Sequence, residues 1–167
     1  MIINKVTQEK GFTLIEMIIY IGIFSLLIGV LSAIFGAILD VQLESEGTSK
    51  VDQNGRYILA KLNHDIEDAT AITTPSSPGQ TTSTLQITVN SIIYTYGLDG
   101  SGNLQLTTPT GTNNLNSQGI TVSGLSFTRL GNGGANDTIR VNYTITSTIQ
   151  SPSGPESRTF QTTLGSL

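Results

Sequence analysis

The sequence predicts an α+β chain: one long N-terminal helix, half membrane-crossing and half amphipathic, followed by an antiparallel β domain. Three observations carry this. From Met17 to Leu39 there are 23 residues without a charge. Val51, Gly55, Ile58, Leu59, Leu62, Ile66 and Ala69 then recur mostly at three- and four-residue steps, an apolar stripe on one helix face. Beyond residue 80, apolar residues alternate with Thr, Ser and Asn, the period of a half-buried strand.

The charges divide the chain. Only 12% of the 167 residues are charged, against about 25% in a usual soluble domain. Residues 1–11 carry a net +1 from Lys5, Glu9 and Lys10, and residues 12–39 carry only Glu16. Residues 40–68 are acidic, and the rest holds Asp99, Asp137 and Glu156 against Arg129, Arg140 and Arg158. The expected organisation is a leader at 1–11, a membrane helix at 12–39, its amphipathic continuation at 40–72 and a β domain at 80–167. The absence of Cys excludes disulfides, thiolate metal sites and Cys nucleophiles. A net charge of −4 argues against nucleic acid as a partner, because such binding rests on Lys and Arg neutralising phosphates.

The apolar run is long enough to cross a membrane. From Met17, 23 residues at 1.5 Å each give about 34 Å, against about 30 Å of hydrocarbon. Two lysines precede it and Asp40, Glu44 and Glu46 follow it. Residues 1–11 are therefore expected in the cytoplasm and the remainder outside. Gly22, Ser25, Gly29, Ser32 and Gly36 form a small-residue stripe, which permits close approach between helices in lipid. Glu16 is the anomaly, since a carboxylate within an apolar run costs on the order of 3 kcal/mol. Two readings are open for it: snorkelling to the head groups, or neutralisation by a partner charge after assembly. A free α-amino group just upstream would supply that charge.

Lys10-Gly11-Phe12-Thr13-Leu14-Ile15-Glu16 resembles the processing site of type IV pilins and type II secretion pseudopilins. The resemblance implies cleavage between Gly11 and Phe12 by a prepilin peptidase and N-methylation of Phe12 by the same enzyme. It implies that Glu16 pairs with the terminal amine of a neighbouring subunit. It also implies a structural, non-catalytic subunit whose helix packs on the β domain. Such a subunit waits in the inner membrane and is drawn into a pilus or pseudopilus by an assembly platform, with other subunits as partners. Glu16 and the stripe Gly22, Ser25, Gly29, Ser32 and Gly36 are then the assembly residues. A reading of a different class is a membrane-tethered β module, or adhesin-like minor pilin, that binds a ligand or surface.

Pro75 and Pro78 are expected to end the helix by about residue 72. Leu85, Ile87 and Val89 alternate, Asn90-Ser91 reads as a turn, and Ile93–Tyr96 returns. Asp99–Asn103 reads as a hairpin loop before Leu104–Leu106. Further strands are expected at Ile120–Val122, Leu125–Leu130, Ile139–Ser147 and Arg158–Leu164. The strings Ile93–Gly100, Leu104 and Val122–Phe127 are similar to the J type of minor pseudopilin. A mid-helix Pro, frequent in major pilins, is replaced by Ala33, and Glu16 argues against the K-type tip subunit.

No cofactor, metal or catalytic set is expected. Asp99, Ser101 and Asn103 place oxygens at alternate positions, but no bidentate Glu follows as a calcium loop requires. The Gly131–Asp137 run lacks the following helix that cradles a phosphate. His64, Asp65 and Asp68 read as a solvated helix face. The sequons at Asn136 and Asn142 read as coincidental.

Overall fold

Helix α1, Leu14–Glu67, is the only helix among the described residues. The computed structural model describes residues 11–131 and 138–165. The chain forms two compact units, one ending at Val41 and the other running Gln42–Leu167. In the first, the side chains of α1 are exposed almost throughout, including Leu26, Ile28 and Phe35. That helix is long and apolar enough to cross a membrane, and none of its most apolar window is buried.

In the second unit, α1 buries Gly47, Val51, Asn54, Gly55, Ile58, Leu62, Asp65 and Ile66. The spacing is that of one helix face, and the expected stripe supplies Val51, Gly55, Ile58, Leu62 and Ile66. Full burial of each aliphatic side chain contributes at most about 1.5–3 kcal/mol. Leu59 packs at the margin.

The helix ends at Glu67, short of the expected 72. Ala69–Thr74 is strand β1, so the β domain begins there and not at 80. Ala69 and Ile72 look like a continuation of the helical stripe, but Thr70, Ile72, Thr73 and Thr74 are β-branched and favour a strand. Both Ala69 and Ile72 reach the core from the strand.

The remaining strands are β2 (Thr81–Thr82), β3 (Leu85–Val89), β4 (Ile92–Leu98), β5 (Leu104–Thr108), β6 (Gly111–Asn114), β7 (Ile120–Arg129), β8 (Thr138–Ser147) and β9 (Ser157–Gly165). They make two sheets, ordered β1-β3-β4-β5-β6 and β2-β7-β8-β9. Every pairing among them is antiparallel. Asn90 and Ser91 both have positive φ, at 50° and 65°. That is the two-residue turn whose twist suits a hairpin, and it joins β3 to β4 where the sequence placed it. The two strands expected at Ile120–Val122 and Leu125–Leu130 are one strand, β7. Its register shifts between Ser123 and Ser126, with Gly124 at φ +62°: a bulge interrupts the alternation without ending the strand.

Both sheets feed one core with the helix. Leu85, Ile87, Tyr96 and Leu104 come from the first sheet, and Phe127, Ile139, Tyr143 and Ile145 from the second, all fully buried. Arg129 of β7 donates to the carbonyls of Ile72, Pro75 and Ser76. Val122 N donates to the Gly102 carbonyl at 2.8 Å. Each link ties the second sheet to the edge or hairpin of the first.

Candidate functional site

The candidate site is the start of α1. Gly11, Phe12 and Thr13 precede the helix and are exposed. Thr13 stands at the N-cap and Glu16 at the third helical position. Glu16 N donates to Thr13 Oγ1 at 3.3 Å, and Thr13 N points at Glu16 Oε2 at 3.5 Å. This is a capping box: each side chain serves the backbone N–H of the other residue, and a carboxylate sits where the helix dipole favours it. Tyr20 Oη donates to Glu16 Oε1 at 3.4 Å. The Phe12 ring meets the Tyr20 ring edge-on, centroids 6.1 Å apart. Glu16 therefore has partners within its own chain, which sequence reasoning missed. The signal was present as Thr-x-x-Glu ahead of an apolar run.

Gly22, Gly29 and Gly36 would each admit a Cβ with no atom within 4 Å. Ser25 Oγ donates to the Ile21 carbonyl at 2.8 Å, so its polarity is satisfied within the helix. The stripe is open backbone, and none of the described residues requires glycine there.

The other candidates resolve differently. His64 and Asp68 are exposed and 3.5 Å apart. Asp65, expected on the solvated face, is instead buried at 3% exposure. It lies three residues from Leu62 and seven from Ile58, hence on the inward face. Lys61 Nζ reaches its Oδ1 at 2.8 Å, and Tyr96 Oη donates to its Oδ2. Burial, then the Asp65 carboxylate, push the Tyr96 phenol far above its ordinary 10.0. Burial likewise raises Tyr143, whose Oη donates to the Gly55 carbonyl at 3.0 Å.

Asp99 closes its own hairpin. Its oxygens accept from Ser101 N, Asn103 N and Asn103 Nδ2, each at 2.8 Å. The Asn103 side chain, then its backbone N–H, hold the carboxyl below its ordinary range. A carboxylate so surrounded by donors is committed to the turn. Among the described residues no group of three or more His, Asp or Glu side chains could hold a metal ion. Asn142 lies mid-strand in β8, opposite Ser126 and Gln161. Residues 1–10, with Lys5 and Lys10, and residues 132–137, with Asn136, lie outside the described residues.

No curated protein and no solved structure matches the chain. Residues 7–32 match the family model described as the prokaryotic N-terminal methylation motif, which supports a type IV pilin-like or pseudopilin family and, with it, processing by a prepilin peptidase and assembly with other pilins.

Proposed function

We propose that the chain is a minor pilin or pseudopilin: a structural subunit cleaved between Gly11 and Phe12, methylated on the Phe12 amine and assembled through α1. The observation that carries this is the methylation motif over residues 7–32 running into a helix whose most apolar window is left uncovered by the described residues. An apolar helix with nothing buried on it needs lipid or other helices, and the open stripe of Gly22, Ser25, Gly29, Ser32 and Gly36 suits helices. The leader stays on the cytoplasmic side of the inner membrane and the β domain faces outward until an assembly platform draws the subunit into the filament. Neighbouring helices then replace the lipid contacts.

Glu16 fits this reading in two successive environments. Before assembly the capping box keeps its carboxylate hydrogen-bonded near the head groups. In the filament it pairs with the methylated amine of a neighbour and sets the axial register, because an unpaired carboxylate in an apolar core disfavours every other docking. The J-type assignment rests on the strings Ile93–Gly100, Leu104 and Val122–Phe127, which are shorter and less specific than the N-terminal motif.

Mass spectrometry of protein purified from its native membrane tests the proposal. The expected species lacks residues 1–11 and begins with N-methylated Phe12. An intact Met1 terminus overturns it in favour of a tethered binding module.

A further inference from the structure

We propose that the β domain carries a binding site for neutral sugars, in the trough between α1 and the segment joining β6 to β7. Two clefts of about 400 and 380 Å³ meet there and share Asn114, Asn116 and Ser117. Gln53 and Tyr57 of α1 flank one, and Gln118 and Thr148 the other. This lies within the unit Gln42–Leu167, apart from the helix start that serves processing and assembly.

The floor of the trough is fixed. Asn54 is buried and bonds Ser117 twice: Asn54 Nδ2 donates to Ser117 Oγ at 3.0 Å, and Ser117 N donates to Asn54 Oδ1 at 2.8 Å. Asn116 is also buried. Its Oδ1 accepts from Leu104 N, and its Nδ2 donates to the carbonyl of Ile120 and to Asn103 Oδ1. The five residues of irregular backbone between β6 and β7, 115–119, are thereby anchored to the helix, to β5 and to β7. Ligand sites gain affinity from such prior ordering.

The rim, by contrast, is unspent. Gln53, Tyr57 and Gln118 are exposed, and their side chains make no hydrogen bond among the described residues. Amides donate and accept at once, which matches sugar hydroxyls that do the same. Tyr57 is 53% exposed and offers a flat apolar face with a polar tip, the surface on which the C–H face of a pyranose rests. Apart from Tyr57, no described residue lining the trough is ionisable. A phosphate or carboxylate finds no cation to form a charge-assisted bond, and an ammonium finds no carboxylate. The chemistry thus selects a neutral polyhydroxylated ligand.

The test is saturation-transfer NMR on the full chain in a detergent without a sugar head group. The probes are methyl galactoside, methyl mannoside and N-acetylglucosamine, with glucuronate and sialic acid as anionic comparators. The expected result is transfer to at least one neutral sugar and none to the anionic pair. Tyr57→Ala and Gln118→Ala, both at exposed positions, should weaken that binding about tenfold, the effect of about 1.4 kcal/mol of lost contact, while leaving the circular dichroism spectrum unchanged. Absence of transfer from all three neutral sugars, preference for the anionic ones, or binding indifferent to both substitutions overturns the proposal.

Discussion

Gly55 of α1 lies against the ring of Phe160 in β9 so closely that a Cβ at Gly55 would sit 2.1 Å from Phe160 Cζ. The ring has no free direction inward, because it stacks on Tyr143 with centroids 5.5 Å apart and planes 17° from parallel. Tyr143 is itself hydrogen-bonded to the Gly55 carbonyl. Three residues from one helix and two strands thus fix how close the helix sits to the second sheet.

Gly55→Ala should therefore destabilise the β domain by about 1–2 kcal/mol: overpacking typically costs about 1–3 kcal/mol, offset by the better helix propensity of Ala, worth up to about 1 kcal/mol. In a Phe160→Ala background the clash is gone and the same change should be neutral or stabilising. Chemical denaturation of the four proteins checks this, and a penalty that persists without the ring would show that Phe160 is not its cause.

The contact between Asp65 and Tyr96 makes a second prediction. Tyr96→Phe leaves Asp65 Oδ2 without its hydroxyl donor in a buried site. The expected loss is about 1–3 kcal/mol, read as a lower midpoint of denaturation. A double variant, Asp65→Leu with Tyr96→Phe, should recover part of that loss, since it leaves no orphaned carboxylate.

The same tyrosines set an alkaline limit. Tyr96 and Tyr143 have folded-state pKa values raised above the ordinary 10.0. The unfolded chain releases those protons as pH passes about 10 while the folded chain keeps them. Their contribution is therefore whole below pH 10 and declines above it. Thermal melts between pH 8 and 11 should show a falling midpoint only in the upper part of that range. Ultraviolet titration should show that two of the five tyrosines ionise only as the domain unfolds.

Why some of this was legible in the sequence and some was not follows from particular residues. Ile58, Leu62 and Ile66 announce a buried helix face, and Asn90-Ser91 between alternating strands announces a hairpin. Thr112, Asn113 and Asn114 of β6 are all exposed, so no apolar alternation marks that edge strand. Asp65 follows the buried spacing but carries a charge, and only its pairing with Lys61 and Tyr96 allows it inside. Gly55 reads as a weak helix residue until the facing ring is known. Thr13 and Glu16 were legible as a processing motif, and that reading concealed their role as a cap.

Glu16→Gln separates the capping role of Glu16 from the proposed pairing with a neighbour's amine. Gln serves as well at the third position of a capping box but cannot neutralise an amine. Amide exchange at residues 13–17 in a membrane mimetic should stay near wild type for Glu16→Gln and rise severalfold for Glu16→Ala, the effect of losing a cap worth about 0.5–2 kcal/mol. Both variants should fail to enter filaments if charge sets the register. Normal processing and incorporation of Glu16→Ala would refute the register role.

The small-residue stripe makes the last prediction, and it turns on where space is empty. A Cβ at Gly29 meets nothing within 4 Å, and Gly29 is not among the residues that build the core. Gly29→Ile should therefore leave the denaturation midpoint of the β domain and the membrane insertion of the subunit unchanged. In a filament the same side chain would enter a helix–helix contact that depends on close backbone approach. Overpacking of about 1–3 kcal/mol per contact corresponds to about a fivefold or greater loss of incorporation. The comparison to make is Gly29→Ile against Leu27→Ala, off the stripe, by quantifying each subunit in sheared filaments. Equal incorporation of the two would show that the stripe does not face another helix.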